Sequence, residues 1–500
     1  MRHSPRLIAL LSGALLFAPS ALRSQAAPTE KRTERLTVQD YLDWEDVQDP
    51  QLSPDGKQIV FTRRWIDKMN DKWESSLWIM NADGTRARFL VNGSAPKWSP
   101  DGGRIAYTAT PPAAGPAPVG APAAAAAPAA QIFVRWMDAE GAVTQLTHLM
   151  ETPNNIEWSP DSKWLAFSMQ VPAKNDWHID MPTPPKGAKW TEAPRIVQKL
   201  NYRADRQGFI EDGNTHIFVL SADNGGTPRQ ITSGAFNHGA PRWMPDGKSI
   251  VFSGLRMADA EYQWRESDIY RVDVASGNIV QLTTRKGPDG NPTPSPDGKW
   301  IAYTGYDSTS DTWTDAKLYL MTADGKDHKI LLPKWDRTPS DLTWTKDGSG
   351  IYFNAEDSGA RNLYLATMSG DVKPVTSGRQ VLTVTSINPN GSAVGVMTTS
   401  SHPSDVVAFS VHSASNIKWL TDVNDDVLSG KKLATTEEIW YTSKDGMKIQ
   451  GWIVKPADFD PSKKYPLILD IHGGPHAMYN LGFSFVRQDQ ASNGYVSLYT

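Results

Sequence analysis

The sequence contains no cysteine among its 500 residues. Disulfides, thiolate metal sites and a cysteine nucleophile are therefore excluded. A large excess of charge of one sign is also missing, because the net charge is −4 and the pI is about 6.2. This near-neutral balance gives no electrostatic reason to expect nucleic acid or an anionic membrane as a partner.

The N-terminus lacks an apolar run long enough to span a bilayer. Its apolar residues 7–17 form a stretch of the length found in signal peptides. A basic start precedes this run, and small residues follow it. We therefore predict a signal peptide over residues 1–27, cleaved near Ala26 or Ala27, and a periplasmic or secreted protein. An uncleaved membrane anchor is the alternative.

Turn-forming and aromatic residues are abundant instead, with 38 Gly, 36 Pro and 19 Trp. This composition favours a turn-rich β protein over a helical one. A chain of 500 residues is also longer than a single hydrophobic core usually holds. We expect two domains.

A Ser-Pro-Asp-Gly turn, or a close variant, recurs seven times, and an apolar run follows each copy. Proline presets φ for the turn, the aspartate side chain caps it, and glycine takes the positive-φ position. Apolar runs on both sides make each copy a hairpin signal. The copies begin at Ser53, Ser99, Ser159, Met244, Ser295, Thr345 and Asn388.

A second apolar element alternates with these turns and also occurs seven times. Its copies begin at Leu77, Ile132, Ile217, Ile269, Leu318, Leu363 and Val406. Most copies lead into a further turn and a short strand, so that each repeat offers four strands over about 50 residues. This period predicts a seven-bladed β-propeller over residues 36–425. The Asp-box propellers of sialidases are the rival, but the proline between Ser and Asp argues against them.

Two blades carry insertions of different character. Residues 109–130 are almost entirely Ala, Pro and Gly, which predicts a surface loop with little to bury. Residues 170–215 hold several aromatic and charged side chains. We interpret the second insertion as a candidate binding segment, with packing against a neighbouring domain as the alternative.

The pattern changes after residue 425. Two strands flank Lys444-Asp445-Gly446 as a hairpin, and an apolar run over residues 465–471 predicts a buried parallel strand. A helix over 483–491 and a strand over 495–499 follow. We interpret residues 426–500 as the N-terminal part of an α/β-hydrolase domain.

The buried strand leads into His472-Gly473-Gly474-Pro475. Two glycines leave backbone N–H groups unshielded, and α/β-hydrolases use such loops to stabilise an oxyanion. Their nucleophile lies in Gly-x-Ser-x-Gly, which occurs nowhere in these 500 residues. We therefore expect the Ser-Asp-His triad beyond Thr500, the chain to be a C-terminally truncated fragment, and the fragment to be inactive.

Together, the repeated turns and the His-Gly-Gly-Pro loop resemble the prolyl oligopeptidase family of serine peptidases. The branch they resemble contains the acylaminoacyl-peptidases and dipeptidyl-peptidase 5, and residues 200–209 support this branch. The resemblance implies an exported peptidase that hydrolyses short peptides by acyl-enzyme chemistry, with the propeller excluding folded proteins. It implies that the Gly474 N–H forms part of the oxyanion hole and that His472 supports the loop.

Dipeptidyl peptidases of this family hold the free amine of the substrate with propeller carboxylates. Glu211 and Asp212 are the candidates in this chain, and dipeptidyl, acylaminoacyl and oligopeptide specificity all stay open. No cofactor, metal, nucleic acid or membrane partner is expected after signal cleavage, and a homo-oligomer stays open. The alternatives are a non-enzymatic TolB-like propeller that binds proteins and an esterase of the same fold.

Overall fold

The computed structural model describes residues 34–111, 128–173, 182–191, 194–263, 265–474 and 476–500. The predicted signal peptide lies outside the described residues, and so does most of the Ala- and Pro-rich insertion. Within the described ranges, no helix combines the length and the apolar character needed to cross a membrane.

The described chain is mostly β, with many four-stranded antiparallel sheets of the kind that form propeller blades. A 3₁₀ helix, Val38–Asp43, precedes the first strand. Unit 1 consists of β1 (Glu45–Leu52), β2 (Gln58–Asp67), β3 (Lys72–Asn81) and β4 (Arg88–Asn92). Unit 2 consists of β5 (Ser94–Trp98), β6 (Arg104–Ala109), β7 (Gln131–Trp136) and β8 (Val143–Gln145).

Unit 3 carries the larger insertion between its second and third strands. Its strands are β9 (Asn154–Trp158), β10 (Trp164–Pro172), β13 (Gly213–Ser221) and β14 (Gly225–Gln230). The insertion contains a small hairpin of its own, β11 (Arg203–Ala204) and β12 (Gly208–Phe209). The strands of unit 4 are β15 (Arg242–Trp243), β16 (Ser249–Gly254), β17 (Asp268–Asp273) and β18 (Ile279–Gln281). A 3₁₀ turn, Ala260–Tyr262, lies in the loop between β16 and β17.

Units 5 to 7 repeat the same antiparallel order. Unit 5 consists of β19 (Asp289–Pro294), β20 (Trp300–Gly305), β21 (Lys317–Thr322) and β22 (Lys329–Ile330). Unit 6 consists of β23 (Ser340–Trp344), β24 (Gly350–Asp357), β25 (Ala360–Thr367) and β26 (Val372–Pro374). Unit 7 consists of β27 (Val381–Ile387), β28 (Ser392–Thr399), β29 (His402–Ser410) and β30 (Lys418–Trp419). A single parallel bridge, Arg361 to Val381, joins the last two units into one sheet.

The repeated turns connect the first and second strands of the units, as the sequence predicts. In unit 1 the hydroxyl of Ser53 donates to Asp55 Oδ1 at 2.6 Å, and the Gly56 N–H donates to the Ser53 carbonyl at 2.8 Å. Gly56 has φ +73°, the left-handed conformation that glycine adopts most readily. The third copy places Ser162 at this position with φ +61°.

The hydrophobic core lies between consecutive units rather than at one centre. Side chains alternate along each second strand, so Ile250 and Phe252 pack against unit 3 while Val251 packs against unit 5. Burial on both faces explains why these strands read as continuous apolar runs. Seven apolar clusters of the described residues follow this scheme. One of these clusters joins the last unit to the first, because it packs Val394 of unit 7 against Phe61 of unit 1.

A separate four-stranded sheet follows α1 (Asp425–Leu428). Its strands are β31 (Thr435–Thr442), β32 (Lys448–Lys455), β33 (Leu467–Asp470) and β34 (Val496–Tyr499), and α2 (Phe485–Ser492) connects the last two. Their order in the sheet is β31-β32-β34-β33. β31 and β32 form the predicted hairpin, and β33 and β34 are parallel. The prediction that β33 is buried is wrong: Leu467 and Leu469 are 59% and 54% exposed, because β33 is an edge strand of this sheet. A parallel pair with a crossover helix is the βαβ unit of α/β sheets.

Element boundaries differ slightly from the predicted ones. β33 begins at Leu467 rather than residue 465, after Pro466, which has no N–H to donate to a neighbouring strand. α2 begins at Phe485 because the Ser484 side chain caps it, accepting from the Arg487 N–H at 3.4 Å.

The C-terminal sheet packs against loops of units 6 and 7 that connect second to third strands. The Leu481 N–H donates to the Gly359 carbonyl at 2.9 Å, and the Phe483 N–H donates to Thr398 Oγ1 at 3.0 Å. In an antiparallel unit these loops lie at the end opposite the Ser-Pro-Asp-Gly turns. The insertion of unit 3 joins the same two strands of its unit, so it leaves at that end too.

Candidate active site

The glycine loop begins where β33 ends. Gly474 has φ +132°, and a Cβ added there would lie 2.6 Å from the His476 nitrogen. Both facts restrict the position to glycine. At Gly473, by contrast, an added Cβ would meet no atom within 4 Å. The backbone is therefore tightly turned at Gly474, while its predecessor lies in open space. Pro475 lies outside the described residues.

His472 contacts its own loop. Its Nδ1 lies 3.0 Å from the Gly473 carbonyl oxygen, to which a protonated Nδ1 donates. Its ring meets Tyr479 edge-on, with centroids 5.8 Å apart. These two contacts match the predicted role of His472 as a residue that shapes the loop, a role that stays a prediction.

An ion pair that was not predicted from the sequence anchors both ends of the loop. Arg487 of α2 donates to Asp470 at 2.8 Å, and the Tyr479 hydroxyl donates to the same carboxylate at 2.9 Å. The guanidinium of Arg487 also lies over Tyr499, 3.7 Å from the ring centroid. Partial burial and the bond to Asp470 raise the pKa of Tyr479. The sequence signal for this ion pair was Asp470, because a charged residue at the end of an apolar strand needs a partner when it is partly buried.

A cavity of about 800 Å³ separates this loop from units 5 and 6. Trp313, in the loop between β20 and β21, stacks on His476 with ring centroids 5.7 Å apart. The wall combines apolar and charged side chains from the β-sheet units with histidines of the loop. Among the lining residues are Trp313, Asp315, Arg337, Glu356, Arg361, His472 and His476.

The two arginines of the cavity wall pair with carboxylates in or next to the wall. Arg337 donates to Asp357 at 2.9 Å, and this hydrogen bond is the main reason that the pKa of Asp357 is lowered. Arg361 donates to Asp341 at 2.8 Å and lies 3.6 Å from Glu356. The wall is therefore polar but balanced, and it offers both signs of charge to a bound molecule.

The structure does not bring Glu211 and Asp212 into this cavity. They line a separate one of about 740 Å³, together with Glu261 and Glu266 of unit 4. Their side chains are half-exposed or more, 3.7 and 3.6 Å from Arg195 and Lys199 respectively. These are loose ion pairs within the insertion. Both cavities involve loops at the same end of the antiparallel units.

Comparisons with known proteins agree with this architecture. No protein-family model matches the chain. An uncharacterized peptidase of Bacillus subtilis is 26% identical over 93% of this chain and 70% of its own length. Dipeptidyl-peptidase 5 of Porphyromonas gingivalis is 27% identical over 94% of this chain and 68% of its own length.

Solved structures match the fold. The acylaminoacyl peptidase of Pyrococcus horikoshii superposes with a TM-score of 0.72 and 21% identity, covering 91% of this chain. The β-propeller domain of a Pyrococcus furiosus protease matches 78% of this chain, with a TM-score of 0.53 and 18% identity. The chain spans only 65% of the length of the acylaminoacyl peptidase.

The chain is thus related to the serine peptidases of the prolyl oligopeptidase family. Within that class, its homologues over most of its length include dipeptidyl-peptidase 5 and the Bacillus subtilis peptidase, and its fold matches the corresponding part of acylaminoacyl peptidase.

Proposed function

We propose that the protein is an exported serine peptidase that releases aminoacyl, acylaminoacyl or dipeptidyl groups from short peptides. In this proposal residues 36–425 form a seven-bladed propeller and residues 426–500 begin an α/β-hydrolase domain. The seven four-stranded units and the packing of unit 7 against unit 1 support the propeller. The parallel pair β33 and β34 with its crossover helix supports the hydrolase domain.

The conformation of Gly474 carries the proposal. Gly474 lies in the loop that follows the parallel strand β33, where α/β-hydrolases place the loop that contributes to the oxyanion hole. Its positive φ turns the backbone sharply, and the loop borders a cavity wide enough for a short peptide. The Gly474 N–H then donates to the oxyanion of the tetrahedral intermediate, while His472 holds the loop in shape.

Residues 1–500 contain no Gly-x-Ser-x-Gly, so the proposal assigns the role of nucleophile to none of them. In the proposed reaction a serine attacks the scissile carbonyl and forms an acyl-enzyme, which water then hydrolyses. The chain described here supplies one oxyanion donor and the wall of the substrate cavity.

Enclosure by the propeller limits the substrate. Loops of units 5 to 7 and the unit 3 insertion lie at the end where the C-terminal sheet packs. The cavity of about 800 Å³ between units 5 and 6 and the glycine loop has room for an extended segment of a few residues but not for a folded protein. Short peptides are therefore the proposed substrates.

Glu211 and Asp212 are the proposed ligands of a free substrate amine. Their ion pairs with Arg195 and Lys199 exceed hydrogen-bond distance, so a substrate ammonium can replace these partners. The second cavity also contains the carboxylates of Glu261 and Glu266. This excess of carboxylates favours a cation.

The test uses the protein translated from the full reading frame that encodes this chain. Chromogenic aminoacyl, acylaminoacyl and dipeptidyl anilides are the substrates. Gly474→Ala is expected to lower kcat by about 10² to 10³, because it displaces an oxyanion donor. Gly473→Ala is the matched control and is expected to lose far less. Equal kcat values for the two variants would contradict the oxyanion role. No hydrolysis of any anilide would favour a binding propeller.

The amine site needs matched substrates that differ only at the N-terminus. Glu211→Gln is expected to raise KM for a dipeptidyl anilide and to leave its N-acetylated analogue unchanged. An equal effect on both substrates would remove Glu211 from the amine site. Export is checked separately, by sequencing the N-terminus of the mature protein, which is expected to begin near Ala27 or Pro28.

A further inference from the structure

A polar latch recurs between the third and fourth strands of most units. A threonine after the fourth strand accepts a hydrogen bond from the backbone N–H of the third strand and contacts a polar side chain there. In unit 4, for example, Thr283 accepts from the Ile269 N–H at 2.9 Å and donates to Asp268 Oδ1 at 3.0 Å. The latch pairs are Gln131 with Thr147, His216 with Thr232, Asp268 with Thr283, Asn362 with Thr376, and Asp405 with Thr421.

Units 4 and 7 both use an aspartate in this latch, which allows a direct comparison. In unit 4 the second oxygen of Asp268 accepts from the Gln281 amide at 2.9 Å. Both carboxylate oxygens of Asp268 are therefore satisfied by protein donors. These hydrogen bonds therefore explain the presence of Asp268 without any further ligand.

In unit 7 the second carboxylate oxygen of the corresponding residue, Asp405, has no such donor in the described part of the chain. Asp405 is fully buried, and its Oδ1 accepts from Thr421 at 2.5 Å and from the Val423 N–H at 3.1 Å. Its Oδ2 has no hydrogen-bond partner among the described residues. Trp419 stands where unit 4 has Gln281, two residues before the threonine, and it donates nothing to this oxygen. A buried carboxylate oxygen without a partner is unfavourable, because no hydrogen bond or ion replaces the water that it loses on folding.

Two further ligand groups surround that oxygen. Nδ1 of His402 lies 3.7 Å from Asp405 Oδ2, and the His402 ring stacks on Trp419 with centroids 4.0 Å apart. Ligand atoms of His402, Asp405 and Asp422 all lie within 4.8 Å of one another. Nδ1 of His402 also lies 2.9 Å from the Pro403 carbonyl oxygen, and the ring nitrogen that carries no proton is the one that can bind a metal ion.

We propose that His402, Asp405 and Asp422 bind a divalent transition metal ion, with Zn²⁺ as the probe. One imidazole and two carboxylates suit Zn²⁺ or Mn²⁺, whereas Ca²⁺ takes oxygen ligands only. The ion satisfies the buried oxygen that the latch leaves unpaired. No spacing of residues in the sequence pointed to this site, because its ligands belong to a β-strand and to the segment that follows the next strand.

The position of the site gives the metal a structural role. Asp422 precedes Asn424, whose side chain exchanges two hydrogen bonds with the Glu45 backbone, both at 2.9 Å. The metal therefore ties β29 to the segment that fastens unit 7 to unit 1. This role does not depend on peptidase activity.

The test is titration calorimetry of the untagged, metal-stripped 500-residue chain with ZnCl₂ and, separately, CaCl₂. One Zn²⁺ site is expected that both His402→Gln and Asp405→Asn weaken by at least about tenfold. Asp405→Asn keeps an oxygen for Thr421, so the latch and the fold survive. Asp268→Asn, the same change at the satisfied latch of unit 4, is the matched control and is expected to bind Zn²⁺ like the wild type.

A thermal melt distinguishes binding at His402 and Asp405 from coordination by surface histidines. Zn²⁺ is expected to raise the melting temperature of the wild type and of Asp268→Asn, but not of Asp405→Asn. Binding that persists in His402→Gln and falls in His412→Gln, an exposed histidine, would overturn the proposal in favour of surface coordination. Failure of Zn²⁺ to bind, with Asp405→Asn more stable than the wild type, would overturn it too.

Discussion

The indole of Trp313 stacks on the imidazole of His476, with an angle of 27° between the ring planes. Trp313 lies in a loop of unit 5, and His476 follows the glycine loop at the end of β33. The contact therefore joins residues 163 positions apart, across the cavity that both side chains line. It is a direct contact between unit 5 and the segment that follows the glycine loop.

Removing this contact should loosen the glycine loop. Trp313→Ala is expected to speed hydrogen exchange of the amides over residues 476–480 up to about tenfold, because aromatic pairs contribute about 1 kcal/mol. Trp313→Phe keeps a ring at this position and is expected to retain most of the protection. Identical exchange in Trp313→Ala and the wild type would show that the loop is held without the indole.

Gly359 should be required for docking of the C-terminal sheet. It has φ +76°, and an added Cβ would lie 2.3 Å from the ring of the buried Trp452. Gly359→Ala is expected to lower the free energy of unfolding by about 3 kcal/mol, through backbone strain and overpacking together.

Gly446 is the matched control for that substitution. Its φ is +91°, but an added Cβ would meet no atom within 4 Å. Gly446→Ala is expected to cost only the backbone strain, about 1 kcal/mol. Urea unfolding followed by tryptophan fluorescence measures both variants. Equal costs would mean that Trp452 moves aside without penalty.

His238 should make the protein less stable in acid. It is buried, and its Nδ1 and Nε2 lie 2.9 Å from the Thr215 carbonyl oxygen and 2.6 Å from Arg256 Nη1. Burial is the main cause that lowers its pKa to about 4, and the charges of His216 and Arg256 add to the effect. In the unfolded chain, the histidine side chain has a pKa near 6.5. Stability is therefore lost as the pH falls from about 6.5 to 4, by roughly 3 kcal/mol.

Replacing the imidazole should flatten this pH profile. His238→Gln is expected to show a smaller decline in melting temperature between pH 6.5 and pH 4.5 than the wild type. His412→Gln changes an exposed histidine and is expected to keep the wild-type decline. A decline of unchanged slope in His238→Gln would assign the acid sensitivity to other groups.

Arg104 should stabilise the junction of units 2 and 3. Its buried guanidinium donates to Asp223 at 2.6 Å and to the Ser162 carbonyl at 2.5 Å, between the rings of Trp136 and Trp158. Arg104→Leu is expected to lower the free energy of unfolding by about 3 kcal/mol, because it leaves a buried carbonyl unpaired and removes two cation–π contacts.

Two further variants separate the parts played by charge and by shape. Arg104→Lys keeps the charge but not the planar fork, so an intermediate loss is expected. Asp223→Asn changes the half-exposed partner and is expected to cost less than about 1 kcal/mol. Chemical unfolding measures all three variants. Wild-type stability of Arg104→Lys would show that the fork geometry is unimportant.

Local patterns in the sequence were sufficient to predict the strands and their turns. Ser53 and Asp55 are two residues apart, and their hydrogen bond depends on the turn alone. The alternation of side chains along Ile250, Val251 and Phe252 likewise follows from the extended backbone. The glycine loop after β33 was identified in the same way, from an apolar strand and two consecutive glycines.

The remaining features depend on residues far apart in the chain. Asp470 and Arg487 pair because a crossover helix returns to the sheet, and Trp313 reaches His476 because loops of different units meet at one end. The separation of Glu211 from His472 into two cavities has the same origin. Sequence periodicity carries no information on such distances, because it describes neighbours within one strand or turn.

The sequence by itself thus determined the repeating four-stranded units, the turns and the glycine loop, since these depend on φ, ψ and side-chain alternation within a few residues. Only the tertiary structure decided which loops lie near the glycine loop and which buried carboxylates keep an unpaired oxygen. Both depend on how the seven units and the C-terminal sheet pack. That packing sums many weak contacts between distant residues, and no short stretch of sequence encodes it.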